Sequence, residues 1–212
     1  MENKPQILEF FPIPIWTSSL PSKLSGICTY LDSQEMISAP QNIRHNWGSR
    51  SKSSYILNES PCYSLSNFIL SQVLTFGKNI LNYSYDKYKF TQSWISHKAP
   101  GESHQTHNHP NSLISGVMYY GKMSELTPQI LFFNPNLESN LKPKFQPPNN
   151  NIFTSQYLPI APLSGTLILF PSSLLHSVPN NETNEIRKSL AFNIVPTEGF
   201  GDEEGLTELK FN

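Results

Sequence analysis

From Tyr88 to Pro196 the chain is a succession of short apolar runs, each closed by proline, glycine or a polar turn. "YKFTQSWIS" alternates and is rich in aromatic residues. "SLISGVMYYG", "QILFF", "FTSQYLPIAP", "GTLILFP" and "RKSLAFNIVP" follow it. Runs of this length are too short for ordinary helices, and alternation or unbroken apolarity over a few residues suits strands. Eighteen prolines against ten glycines reinforce a texture of strands joined by turns. A half that builds six or seven short strands must bury them in two layers, as a β-sandwich or an open barrel.

The first half reads differently. "SLSNFILSQVLTFGKNILN", Ser64 to Asn82, places Leu65, Phe68, Ile69, Val73, Phe76 and Ile80 at three- and four-residue steps. That spacing predicts one amphipathic helix with a single apolar stripe, and Pro61 ahead of it suits a helix start. A weaker helix is expected over Ser22 to Leu31. "ILEFFPIPIW", interrupted by Pro12 and Pro14, reads as an irregular edge strand, where proline is tolerated. At 212 residues the expectation is one domain over 1–212. Residues 1–87 would supply an N-terminal strand and helices, 88–196 the β core, and 197–212 a loosely ordered acidic tail. The proline-rich stretch 134–151 is either a disordered excursion or a lid. The fold class expected is mainly β, α+β, with helices buttressing the β core.

Composition narrows function by exclusion. A net charge of −1 with 15% charged residues carries no basic footprint for nucleic acid. No run approaches the eighteen or so apolar residues of a membrane span, and the first apolar run lacks a signal peptide's basic start and cleavage site. Two cysteines, Cys28 and Cys62, are too few for a disulfide scaffold and suit a reducing, cytoplasmic setting.

The chemistry gathers at histidine. Three of the six histidines stand within six residues, in "GESHQTHNHPNSLISG". His107 and His109 are two apart, so on a strand they share a face and can offer two imidazoles to one metal. A third ligand must come from far away, and His176 is the only histidine downstream. After it come Arg187 and Ser189, on the alternate face of "RKSLAFN" from Leu190, Phe192 and Ile194. A guanidinium on the inward side of an apolar strand is costly unless it meets an anion. Its fork fits a carboxylate, to which a serine hydroxyl two residues on can add a bond. His104 falls three residues before His107 and so out of strand phase, leaving it a supporting or substrate role at most. His45 and His97 have no spaced partner and read as structural. Trp94 reads as core with a chance of lining the site, and Asn193 as a weak polar neighbour on the Arg187 face. Asn111, Ser112 and Ser115 read as turn and strand-start residues.

This order of motifs, "HNHPNSLISGVMYY", "GTLILFPSSLLHSV" and "RKSLAFNI", resembles the 2-oxoglutarate/Fe(II)-dependent oxygenase superfamily, and within it a bacterial and phage group similar to prolyl hydroxylases. "FFPIPIW" and "NWGSRS" also look like that group. The resemblance implies a double-stranded β-helix, or jelly-roll, core. It implies Fe(II) held by His107, His109 and His176 as catalytic and metal residues. The cosubstrate 2-oxoglutarate would chelate the iron and pair its far carboxylate with Arg187, helped by Ser189. Tyr119-Tyr120 resembles the paired tyrosines of prolyl hydroxylases, which implies that the second, Tyr120, contacts that carboxylate. Partners implied are O2 and a small-molecule or peptidyl substrate, with no nucleic acid and no membrane; a homodimer is compatible.

One position departs from the pattern. The superfamily places Asp or Glu where this chain has His109, so the usual two-histidine, one-carboxylate triad becomes three histidines. An outside carboxylate such as Glu102 is one way to complete the set. The alternatives are a cupin-type three-histidine dioxygenase that ignores 2-oxoglutarate, and a metal-binding β-barrel without catalysis. The cupin spacing fits Gly101, His107 and His109 and the "HSVPN" ending, but leaves Arg187 and Ser189 unexplained.

Overall fold

The computed structural model describes residues 12–38, 48–137, 144, 151 and 153–211. His45, Asn46, Trp47, the beginning of "ILEFFPIPIW" and nearly all of 138–152 lie outside them. Of the stretch 134–151, expected as an excursion or a lid, the described residues are Asn134, the 3-10 turn Pro135–Leu137, Lys144 and Asn151.

Thirteen strands are found among the described residues: β1 (Trp16–Ser19), β2 (Met36–Ser38), β3 (Ser49–Ser51), β4 (Tyr88–Lys98), β5 (His104–His107), β6 (Ile114–Tyr120), β7 (Ile130–Phe133), β8 (Tyr157–Ile160), β9 (Thr166–Pro171), β10 (His176–Val178), β11 (Arg187–Pro196), β12 (Gly199–Phe200) and β13 (Leu209–Lys210). They form a seven-stranded sheet in the order β1-β9-β6-β11-β4-β3-β2 and a four-stranded sheet in the order β5-β10-β7-β8. The named strand pairs are antiparallel. The two sheets face each other as the layers of a double-stranded β-helix.

All seven residues of β6 are buried because both faces of the large sheet are covered. Ile114, Met118 and Tyr120 belong to an outer core with α2 (Tyr63–Asn79), whereas Val117 and Tyr119 point between the sheets. Helix α2 forms where its apolar period predicts. It seats Leu65, Ile69, Val73 and Phe76 against the large sheet at 1% exposure or less. Each such side chain contributes about 1.5–3 kcal/mol by leaving water. The expected stripe is one turn too long: the helix ends at Asn79, and Ile80 is half exposed. The weaker expected helix is split into a 3-10 turn, Ser22–Leu24, and α1 (Ile27–Asp32), with Gly26 between them. The early apolar run does give an edge strand, but β1 starts only after Pro14, where backbone N–H groups are available to pair with β9. The tail, expected to be loose, instead forms the β12–β13 hairpin, closed by edge packing of Phe200 on Phe211 at 5.5 Å.

Gly116 is a point of close approach in the outer core. A Cβ there would lie 2.4 Å from Phe192 Cζ and 2.8 Å from Leu169 Cδ2. Gly116→Ala is therefore expected to cost about 1–3 kcal/mol by overpacking. Thermal denaturation should show a fall of ~2–4 °C for each kcal/mol in a chain of this size.

Candidate metal and anion site

Strands β5 and β10 are neighbours in the small sheet, and their register sets His107 directly opposite His176. His109 lies two residues beyond the end of β5, so strand alternation is not what aims it. Its backbone N–H donates to the Ser172 carbonyl at 2.9 Å, which ties the turn to the end of β9. Asn111, at φ 59°, then reverses the chain into β6. Asn and Asp accept this left-handed conformation more readily than most residues. Behind the turn, buried Ser115 Oγ is 2.8 Å from Ser172 Oγ and donates to Asn193 Oδ1 at 2.9 Å.

The three histidines converge, with one ligand nitrogen from each within 4.8 Å of the others. His109 Nε2 and His176 Nε2 are 3.3 Å apart. Backbone carbonyls orient two of the rings. His107 Nδ1 lies 2.7 Å from Gln105 O, and His176 Nδ1 lies 2.9 Å from Leu174 O. A carbonyl only accepts, so each Nδ1 carries the hydrogen and each Nε2 presents its lone pair. Such a carbonyl partner is the usual support of a metal-bound imidazole. Phe170 packs at 4.8 Å and Phe132 at 5.9 Å from the His176 ring, and Trp94 at 5.9 Å from the His109 ring.

Burial keeps the cluster neutral. It is the largest cause pulling His109 down to about 4 and His176 down to about 3, with the charge of a protonated His107 acting in the same direction on both. His107 is lowered too, chiefly by burial, with the Gln105 carbonyl opposing. Neutral imidazoles are the form that binds a metal.

His104 is not out of phase after all. The β5–β10 register slips between His176 and Val178, whose partners His107 and His104 are three residues apart rather than two. This bulge inserts one residue and returns His104 to the side of His107. The rings stack at 4.2 Å. The described residues place no carboxylate in the histidine group. Glu102 is engaged elsewhere, its Oε2 accepting the Ala99 N–H at 2.7 Å.

Arg187 opens β11 on the interior face, 3% exposed. Its Nε donates to Pro128 O at 3.0 Å and Nη2 donates to the Tyr119 hydroxyl at 2.9 Å. Burial, opposed by Arg187, raises the Tyr119 phenol, so this hydroxyl is neutral. Ser189 also faces the interior and sits opposite both Tyr119 and Ser96 in the register. Tyr120 does not share the face of Arg187 and Ser189. Alternation along β6 turns it to the outer core, where its hydroxyl is 3.1 Å from His97 Nε2. Tyr119 holds the place beside Arg187 that the resemblance gave to Tyr120. His97 lies with Tyr120, on the face away from the metal group.

Sequence reading also missed Lys98. It ends β4 two residues beyond the run "YKFTQSWIS" and is 2% exposed. Extending the alternation Trp94, Ser96, Lys98 would have placed it on the interior face.

Residues 92–193 match the family model described as "Putative 2OG-Fe(II) oxygenase", which bears out the resemblance drawn from the motifs. No curated protein matches the chain. Among solved structures, a Pseudomonas putida prolyl-4-hydroxylase is similar over 85% of this chain and 92% of its own, at 15% identity and TM-score 0.58. HygX from Streptomyces hygroscopicus, solved with nickel and 2-oxoglutarate bound, is similar over 88% and 84%, at 12% identity and TM-score 0.60. A 2OG-Fe(II) oxygenase family oxidoreductase from Burkholderia pseudomallei is similar over 84% and 83%, at 13% identity and TM-score 0.56. At these identities the likeness is one of fold, the double-stranded β-helix.

Proposed function

We infer that this chain, whose residues 92–193 carry the 2OG-Fe(II) oxygenase family match, is a 2-oxoglutarate-dependent dioxygenase that hydroxylates a small-molecule or peptidyl substrate. The observation that carries the reading is the meeting of three neutral imidazoles, two of them oriented by backbone carbonyls, in a β-helix whose interior also buries Arg187.

The donor set fits ferrous iron, because imidazole suits Fe(II) and three ligands leave positions open. His107, His109 and His176 would hold it. When bound, the iron supplies the O2 activation that couples release of CO2 from 2-oxoglutarate, leaving succinate, to transfer of an oxygen atom to the substrate. The rest is done by this chain's own backbone and side chains. Gln105 and Leu174 carbonyls fix two ligand rings. Phe132, Phe170 and Trp94 keep the wall of the site apolar. Arg187 offers its fork to the far carboxylate of 2-oxoglutarate with the Ser189 hydroxyl nearby, and Tyr119 steadies the guanidinium from the other side. With His109 in place of an acid, the ligands bring no negative charge of their own, so a dianionic cosubstrate meets the full dication.

The free thiols of Cys28 and Cys62 suit the cytoplasm. No described helix is long and apolar enough to cross a membrane. Purified protein given Fe(II), 2-oxoglutarate and O2 is expected to release succinate slowly even without its own substrate. Iron binding with no loss of 2-oxoglutarate or O2 would instead indicate a metal-binding barrel. O2 uptake on thiols with indifference to 2-oxoglutarate would indicate cupin-type chemistry. Either result overturns the reading.

A further inference from the structure

Lys98 and Arg187 are directly opposite each other in the β4–β11 register, on the interior face, 2% and 3% exposed. Side chains at such positions stand about 5 Å apart at Cβ, and like charges placed there repel. Burial weakens the screening that would relieve them. The next inward pair along the same two strands is Ser96 opposite Ser189, followed on β6 by Tyr119. Lys98 Nζ donates to Ser96 Oγ at 2.9 Å. Arg187 uses two of its five N–H groups on Pro128 and Tyr119, leaving three with no protein acceptor among the described residues. Two buried cations and two hydroxyls thus face one spot at the end of the β-helix interior.

We propose that Lys98 is a second cationic anchor, acting with Arg187 on the distal carboxylate of the cosubstrate and making the site selective for a dicarboxylic over a monocarboxylic 2-oxo acid. The inference rests on the 2-oxoglutarate reading above and adds a residue to it. A carboxylate between the two cations converts their mutual repulsion into two attractions. Burial and then Arg187 lower the Lys98 ammonium to about 8, with the Glu102 carboxylate opposing in part, which leaves it mostly charged at neutral pH. An anchor made of Arg187 alone would gain nothing from a second buried cation across the strand.

The test compares binding of 2-oxoglutarate and of 2-oxovalerate, which has the same carbon chain without the distal carboxylate, to the Fe(II)-loaded protein without O2. Lys98→Met is expected to weaken 2-oxoglutarate about tenfold or more, as loss of a charge-assisted contact does, and to leave 2-oxovalerate within about twofold. Lys98→Gln, which can keep a hydrogen bond to Ser96 while losing the charge, should behave alike and serves if the methionine variant does not fold. A purely structural lysine would weaken both ligands together. Equal losses for the two ligands, or unchanged 2-oxoglutarate binding in both variants, overturn the proposal while leaving the oxygenase reading in place. Failure of the wild-type protein to bind 2-oxoglutarate at all overturns that reading, and this inference with it.

Discussion

His176→Ala is expected to lower Fe(II) affinity by more than 10²-fold and to reduce succinate release from 2-oxoglutarate to background. The physical reason is positional. His176 is the proposed ligand that comes from β10, distant in sequence but paired with β5, and its register partner is His107. Without it, the remaining nitrogens are those of His107 and of His109, which lies in the turn held by Ser172. Loss of a supporting contact to a ligand already costs about 10–100-fold in metal affinity, so loss of the ligand itself must cost more. Iron titration followed by fluorescence quenching, together with a succinate assay, checks both halves. His109→Asp serves as the companion. It exchanges imidazole for the carboxylate usual at that position and should keep the metal, so a loss confined to His176→Ala reports the ligand. Retention of wild-type iron affinity by His176→Ala would remove His176 from the set.

The same turn shows how far sequence could reach. The strands of the β core were legible because each is an apolar run with a turn at its end. Strands β2 and β3 were not, since three residues such as Ser49, Arg50 and Ser51 carry no period. The spacing of His107 and His109 suggested a shared metal through strand alternation, yet the strand stops at His107. The convergence comes from a backbone hydrogen bond to Ser172, sixty-odd residues away, which no local pattern encodes. His104 changed sides because of a bulge, and a bulge is a property of the strand pair rather than of either sequence. The choice between Tyr119 and Tyr120 has the same origin. Both are buried and adjacent, and only the pairing of Tyr119 with Ser189 tells which one shares the face of Arg187. Lys98 was lost by a smaller error, a strand read two residues short. Positions within one element were thus readable, while relations between elements, where the site is assembled, were not.

Those relations carry the second large effect. Arg187→Met is expected to weaken 2-oxoglutarate binding by roughly 10²–10³-fold, because truncating one partner of a buried, hydrogen-bonded charge pair costs about 2–5 kcal/mol. Methionine keeps much of the buried volume, so the loss reads as charge and hydrogen bonding rather than as a cavity. Stability should change little by comparison. The Tyr119 hydroxyl and the Pro128 carbonyl lose a donor, which costs, but the substitution also removes a buried cation that stands opposite Lys98. Arg187→Lys separates the two contributions of the guanidinium. It retains the positive charge and loses the fork, so its affinity should fall between wild type and Arg187→Met. Calorimetric titration of 2-oxoglutarate into the Fe(II)-loaded proteins without O2 gives the three constants. Iron affinity is measured alongside and should be unaltered, since Arg187 touches none of the three histidines. If Arg187→Met bound 2-oxoglutarate within about twofold of wild type, the cosubstrate would have to lie elsewhere in the barrel. The buried guanidinium would then be a structural clamp between Tyr119 and Pro128.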